Sequence, residues 1–132
     1  MDVSVINWLA VALAGVAAMV IGGLWYGLLF AKPWQRAAGV TDEQLKTGAP
    51  LAYGLSLLLA LVMAVVLAPF IAGGGVVFGL FAGLAVGLGW VAASLGMITL
   101  FERRPFGYWA VNAGYAVVSY TAMGAIIGAL QG

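Results

Sequence analysis

Apolar residues fill four long stretches of the chain that contain no charged side chain. These stretches cover approximately residues 3–30, 50–70, 73–101 and 105–129. Each is longer than the ~18 to 20 residues that a helix needs to cross the ~30 Å hydrocarbon core of a bilayer. Strand-like alternation of polar and apolar residues is absent, so the pattern predicts helices, which satisfy every backbone polar group internally.

The predicted fold is therefore an all-α membrane protein in which residues 1–132 form one domain of four transmembrane helices with short loops. The segment 31–49, between the first two spans, is polar and amphipathic. Within it Thr41 precedes Gln44 by three positions, which is the spacing of a capping box. A short interfacial helix is expected to begin there. The N-terminal sequence lacks a basic stretch and continues into a span too long for a signal peptide, so we expect it to be retained.

The composition indicates lipid as the solvent for most of the chain and argues against catalysis. Hydrophobic residues make up 65% of the sequence and charged residues 7%, compared with about 25% charged residues in soluble domains. Cysteine and histidine are both missing, which removes disulfides, Cys/His zinc sites, His-ligated haem and imidazole catalysis. The four carboxylates lie outside the spans. The sequence thus predicts a protein that is not an enzyme and has no cofactor or metal.

The charged residues predict an orientation. All five Lys and Arg residues lie in the first and third loops, and the second loop carries no charge. The positive-inside rule then puts loops 31–49 and 102–104 in the cytoplasm and both termini outside, with Asp2 at the outer end. The expected location is a bacterial cytoplasmic membrane. A net charge of +1 without a clustered basic face predicts no nucleic-acid partner.

Small residues recur every four positions in two of the spans. They are Ala52, Ser56, Ala60, Ala64 and Ala68 in the second span, and Gly75, Gly79, Gly83 and Gly87 in the third. Such ridges allow the backbones of membrane helices to approach closely. They either pack spans two and three within one chain or form the interface of a homo-oligomer.

Two short segments, in spans that run in the same direction, resemble each other. The sequence "IGGLWYG" at 21–27 aligns with "VGLGWVA" at 86–92, so that a glycine and a tryptophan match. This pattern is typical of a duplicated helical hairpin. It is equally the kind of match that chance produces between apolar, glycine-rich sequences.

Polar side chains at one depth indicate a candidate cavity. In the fourth span, residues spaced by four and three from Tyr108 to Ala122 lie on one helical stripe, and all of them except Ala122 are polar. Asn112, on this stripe, lies ~10 Å along the helix from the cytoplasmic end. Unsatisfied polar groups in hydrocarbon cost several kcal/mol, so groups at this depth should meet inside the bundle or at a subunit contact. The candidate cavity-lining residues are Tyr26, Ser56, Ser94, Asn112 and Tyr115. The alternative is that they only join helices by hydrogen bonds.

Aromatic residues near the end of the first span have different expected places. Trp25 and Tyr26 are adjacent and differ by ~100° around a helix, so they are not expected to face the same partner. We expect Tyr26 to point inward and Trp25 to lie against a neighbouring helix or lipid. Trp34, farther along, fits the aromatic belt at the membrane interface.

The basic pair in the third loop is a candidate lipid contact. Arg103 and Arg104 follow Glu102 directly, at the expected membrane surface. They could bind anionic lipid headgroups. The simpler interpretation is a topology signal with a local ion pair.

Two sequence motifs carry a family resemblance. One is "GGLWYGLLFAKPWQRAAGVTDEQL" at 22–45, with its Trp-Tyr-Gly, Phe-x-Lys-x-Trp and Gly-x-Thr-x-Glu elements. The other is "LFERRPFGYWAVNAGYAVVSYTAMGAIIG" at 100–128, with Asn-Ala-Gly-Tyr at its centre. Together they resemble the family called domain of unknown function 1761. The resemblance implies a small multi-span membrane protein without an assigned reaction, and it transfers no catalytic role.

The sequence therefore favours a non-enzymatic bundle that binds lipid or acts as an accessory or scaffold subunit, with membrane lipids and a second copy of the chain as candidate partners. The alternative is a passive transporter or channel for a small neutral or aromatic molecule, with a cavity around Asn112 near the inner leaflet. Ion-coupled transport is disfavoured because the spans contain no charged side chain.

Overall fold

A computed structural model describes residue 4 and residues 6–131, and helices account for nearly all of them. In chain order the helices are α1 (Trp8–Leu29), α2 (Ala31–Ala38), α3 (Asp42–Lys46), α4 (Ala49–Ile71), α5 (Gly75–Glu102) and α6 (Phe106–Gln131). By length and composition, α1, α4, α5 and α6 can each cross a membrane. The described residues include no strand. The predicted all-α fold with four spans is thus confirmed.

The first span begins at Trp8 because Asn7 caps it. The Asn7 Oδ1 atom accepts hydrogen bonds from the backbone N–H groups of Leu9 and Ala10, at 3.0 and 3.2 Å. This satisfies two of the donors that a helix leaves unpaired at its start. The predicted beginning near residue 3, and Asp2 with it, lie outside the described residues.

The segment between α1 and α4 forms two short helices rather than one. Gly39, with φ of 71°, ends α2 in the left-handed conformation, which glycine adopts without steric cost. The predicted capping box then starts α3. Thr41 Oγ1 accepts from the Gln44 N–H at 3.2 Å, and Gln44 Oε1 accepts from the Thr41 N–H at 2.8 Å.

Helix α6 is the centre of the bundle, because it packs against α1, α4 and α5 and also touches α2. The glycine ridge of α5 packs chiefly on α6. Gly79 lies opposite Gly124, and Gly83 lies opposite the backbone of Tyr120, so closely that an added methyl group would overlap a carbonyl oxygen. The interpretation that this ridge packs on the second span is therefore wrong. Helix α6 offers small residues of its own, Gly124 and Gly128, which permit a closer approach than α4 does.

The small-residue ridge of α4 packs on α1. Ala60, Ala64 and Ala68 are buried in one core with Ala10 and Ala14 of α1. The other end of the same ridge, at Ala52 and Ser56, is exposed. Both ridges thus make contacts within one chain. A homo-oligomer stays a prediction.

The two ends of the bundle differ. We call the end that carries α2, α3 and residues 103–105 the basic end, because all Lys and Arg residues lie there. The opposite end, with residues 72–75, is the glycine end. There Gln131 joins three spans: its Nε2 donates to the Ala68 carbonyl at 3.0 Å, and its Oε1 accepts from the Asn7 N–H at 2.8 Å.

Two spans contain a π-helical turn. One covers Trp25–Leu29 in α1 and the other covers Val86–Ala92 in α5. These turns overlap the two segments that resemble each other in sequence. Their tryptophans differ, however, because Trp25 packs against α6 whereas Trp90 is 69% exposed. In the alignment the two turns coincide only over residues 25–27 and 90–92, and the contacts of the matched tryptophans differ.

Candidate functional site

A cavity of about 510 Å³ lies between α1 and α4, near the basic end. We call it the groove. Helix α6 forms its third side, and α2 and α3 each contribute one residue. Its lining residues are Ala18, Met19, Gly22, Gly23, Tyr26, Gly27, Trp34, Leu45, Tyr53, Ser56, Asn112 and Tyr115. None of these side chains carries a charge and four of the twelve are aromatic, so the groove is a neutral site with a partly aromatic lining.

Glycines on α1 create much of the space in the groove. An added Cβ atom at Gly23 or Gly27 would meet nothing within 4 Å, and at Gly22 it would only touch the Tyr115 ring, at 3.4 Å. Leu24 and Leu28, on another face of α1, are about half or more exposed. The first span therefore presents a bare backbone to the groove and leucines elsewhere.

The polar groups of the groove are partly used and partly free. Tyr26 donates its hydroxyl hydrogen to Asn112 Oδ1 at 2.6 Å, and the Tyr115 hydroxyl donates to the Ala18 carbonyl at 3.0 Å. Neither the Nδ2 amide of Asn112 nor the hydroxyl of Ser56 takes part in a hydrogen bond with another described residue. The groove therefore offers two hydrogen-bond donors to a guest molecule.

Aromatic rings form a continuous surface beside these donors. The Trp34 ring meets the Tyr26 ring edge to face, with centroids 5.1 Å apart, and the Tyr26 and Tyr115 centroids lie 5.4 Å apart. Tyr53, on α4, adds a fourth ring to the lining and is 67% exposed. Rings at these separations attract one another beyond the burial of their area, which orders the surface without a ligand.

Trp25 and Tyr26 contact the same helix. The Trp25 indole N–H donates to the Val111 carbonyl at 2.8 Å, next to the Asn112 amide that Tyr26 contacts. The expectation that adjacent residues face different partners is therefore wrong. Two long side chains can reach one helix from either side, and the π-helical turn, with its i to i+5 hydrogen bond, rotates less per residue than an α-helix. The separate expectations hold: Tyr26 points into the bundle, and Trp25 lies against a neighbouring helix.

Four of the five predicted cavity residues line the groove: Tyr26, Ser56, Asn112 and Tyr115. Ser94 does not, and its predicted place is wrong. It is exposed on α5, which packs on a different face of α6 from the face that carries Asn112. Equal depth in the membrane gives the level of a residue but not its direction around the bundle.

Three further groove residues were not predicted from the sequence: Trp34, Leu45 and Tyr53. Trp34 was assigned to the interfacial belt, yet it is half-buried and touches Tyr26. The spacing of Tyr53 and Ser56, three positions apart on α4, was a usable signal, because it places both on one helix face. No comparable signal identifies Trp34 or Leu45, since their positions depend on how α2 and α3 fold back.

The rest of the polar stripe on α6 has other contacts. Ser119 is fully buried, with its hydroxyl 3.9 Å from the sulfur of Met123. Tyr108 lies under the guanidinium of Arg104, at 5.2 Å from the ring centroid. The stripe therefore serves the groove only at Asn112 and Tyr115.

Arg103 and Arg104 have local structural contacts. The Nη1 of Arg104 donates to the Ala38 carbonyl at 3.1 Å, which joins the third loop to α2. Arg103, with φ of 60°, ends α5 in the left-handed conformation. Their binding to lipid headgroups stays a prediction.

These features define a class: a small helical protein with four membrane-spanning helices and an uncharged groove open at one side. Residues 9–128, nearly the whole chain, match the family described as protein of unknown function DUF1761. The chain belongs to this family, which confirms the resemblance seen in its two motifs. Neither a curated protein nor a solved structure matches it.

Proposed function

We propose that the protein binds one uncharged lipid or similar amphiphile in the groove, without catalysing a reaction on it. One observation carries the proposal: the groove is neutral and partly aromatic, and it contains hydrogen-bond donors that have no partner among the described residues. Binding sites for small molecules are typically concave and apolar with a few placed polar groups, and often measure ~300 to 1,000 Å³.

The exposure of the lining supports entry from the bilayer. Gly23 and Gly27 on α1, and Tyr53 and Ser56 on α4, are exposed, and they belong to two helices that can span the membrane. A guest that passes between α1 and α4 would therefore come from lipid. The lack of charge in the lining penalises ions, which lose hydration without gaining a partner.

The packing beyond the groove supports binding rather than passage. Toward the glycine end, the space among α1, α4 and α6 is filled by side chains with no exposed area, including Ala14, Ala64, Met123 and Ile127. A guest in the groove meets this core and can leave only the way it entered. We therefore favour binding over passive transport, which needs a continuous path.

Native mass spectrometry of the protein extracted in mild detergent and incubated with monoolein, a neutral lipid, tests this function. We expect one monoolein, or one co-purified neutral lipid, per chain, with an unchanged mass. Gly27→Leu should remove it, because leucine would occupy the groove where a Cβ atom meets open space. The matched control is Gly89→Leu. It also lies in a π-helical turn with open space around it, but outside the groove.

Two results would contradict the proposal. Wild-type protein that retains no neutral lipid, even with monoolein added, would show that the groove does not bind this class. Equal retention by the Gly27→Leu and Gly89→Leu proteins would show that lipid binds elsewhere on the surface.

A further inference from the structure

The groove combines two surfaces that favour a flat guest. On one, Gly22, Gly23 and Gly27 leave the α1 backbone without side chains. On the other, the rings of Trp34 and Tyr26 meet at 5.1 Å. A flat ring can contact a bare backbone while it stacks on one of these two rings and meets the edge of the other, and ring contacts add attraction beyond the area they bury. A flexible chain gains no such attraction to the rings, and it loses more conformational freedom on binding.

The free donors select the chemistry at the edge of that guest. Asn112 Oδ1 already accepts from the Tyr26 hydroxyl at 2.6 Å, and the group of Asn112 without a partner among the described residues is its Nδ2 amide, a donor. The Ser56 hydroxyl is a second possible donor on the facing helix. A guest that satisfies both must present acceptor oxygens, such as carbonyl groups. Because the lining has no cation, these acceptors belong to a neutral group rather than a carboxylate or phosphate.

We propose that the amphiphile bound in the groove has a flat, uncharged ring with carbonyl oxygens as its headgroup, which is the chemistry of a membrane quinone. This inference rests on the proposed function and specifies its ligand. One carbonyl oxygen accepts from Asn112 Nδ2, the ring lies along Tyr26 and Trp34, and the apolar tail extends into lipid past the exposed Gly23 and Tyr53.

Fluorescence in nanodiscs of neutral phospholipid tests the ring chemistry. Trp34 is the one of the five tryptophans that lines the groove, so a quinone bound there should quench its emission. The probe is menadione, a quinone without a tail. The comparison compound, 2-methylnaphthalene, has the same ring system without carbonyl groups, and its binding is measured by competition with menadione. We expect saturable quenching by menadione that is absent in Trp34→Phe.

The decisive quantity is the ratio of the affinities for menadione and 2-methylnaphthalene, which measures the preference for carbonyl groups. One or two hydrogen bonds should make menadione bind about tenfold more tightly than 2-methylnaphthalene. Asn112→Leu should reduce this ratio, because leucine removes the amide donor and leaves only the Ser56 hydroxyl. Gly89→Leu, outside the groove, should leave both the quenching and the ratio unchanged.

The remaining outcomes separate this inference from the proposed function. If monoolein is retained in native mass spectra but menadione gives no saturable quenching, the quinone assignment is overturned and lipid binding stands. If menadione and 2-methylnaphthalene bind equally to the wild type, the carbonyl assignment is likewise overturned. If neither monoolein nor menadione binds, both proposals fail.

Discussion

Glycine has opposite effects in two regions of this molecule. On α5, Gly79 and Gly83 lie against the α6 backbone with no room for a methyl group. On α1, Gly23 and Gly27 face open space. The residue type and the four-residue spacing are the same, so the difference comes from the facing helix. Where that helix presents small residues, as at Gly124, backbones close up; where it presents larger side chains, the missing Cβ atoms leave a cavity.

The polar groups divide in the same way. At the glycine end, both ends of the Gln131 amide are hydrogen-bonded and join α6 to α1 and α4. At the basic end, Asn112 has one bonded oxygen, and its amide nitrogen has no partner among the described residues. Hydrogen bonds therefore join the helices at both ends, but at the basic end Asn112 keeps a donor available.

Cysteine labelling tests which of the two ends faces the cytoplasm, and its outcome is all or none. Single-cysteine variants Val40→Cys at the basic end and Ala72→Cys at the glycine end use the absence of native cysteine. The positive-inside rule predicts that a membrane-impermeant maleimide added to intact cells labels only Ala72→Cys, and that Val40→Cys reacts after lysis. Labelling of Val40→Cys in intact cells would reverse the assignment.

Filling the glycine contact should cause the largest loss of stability. Gly83→Leu places a side chain where a Cβ atom would already overlap the Tyr120 carbonyl oxygen, and backbone cannot move aside as a side chain does. We expect a loss of more than about 3 kcal/mol, above the usual range for overpacking, seen as little folded monomer by size-exclusion chromatography. Val77→Leu, at a position 65% exposed, is the control. Equal yields would mean that the contact is unimportant.

Removing the amide at the glycine end should have an intermediate effect. Gln131→Leu loses the bonds to Ala68 and Asn7 and leaves the Asn7 N–H unpaired. A destabilisation of about 1 to 2 kcal/mol is expected, measured as a lower thermal midpoint. Leu130→Val, at the neighbouring exposed position, should stay close to wild type. A shift no larger than that of the control would argue against an amide link.

The smallest loss of stability is expected at the groove. Asn112→Leu breaks one side-chain hydrogen bond, to Tyr26, and such bonds between membrane helices average ~0.6 kcal/mol. Tyr26→Phe removes the same hydrogen bond by deleting its donor, and it should lower the thermal midpoint by the same amount as Asn112→Leu. A loss as large as that of Gln131→Leu would assign Asn112 to holding the helices together rather than to a ligand.

Hydropathy and charge were enough to predict the spans, and local spacing was enough for the Thr41 capping box. Four of the five predicted cavity residues also followed, because the depth of each residue can be counted along its own span, and Asn112 and Tyr115 share one face of α6. The prediction for Ser94 was wrong because the direction of this residue depends on where α5 packs around α6. Trp34 was missed because it reaches the groove through the fold of a short helix, which is a tertiary property. The π-helical turns at residues 25–29 and 86–92 had no local sequence signal.

The central place of α6 has a consequence for biogenesis. This helix leaves the ribosome after the other three spans, yet the α5 glycine ridge, the Trp25 indole and the Tyr26 hydroxyl all find their partners on it. Helices that are individually stable in a bilayer associate in a second step. The pairing of α1 with α4 through their buried alanines does not need α6. The contacts of the α5 glycine ridge and of the Trp25 and Tyr26 side chains must wait until α6 has been inserted.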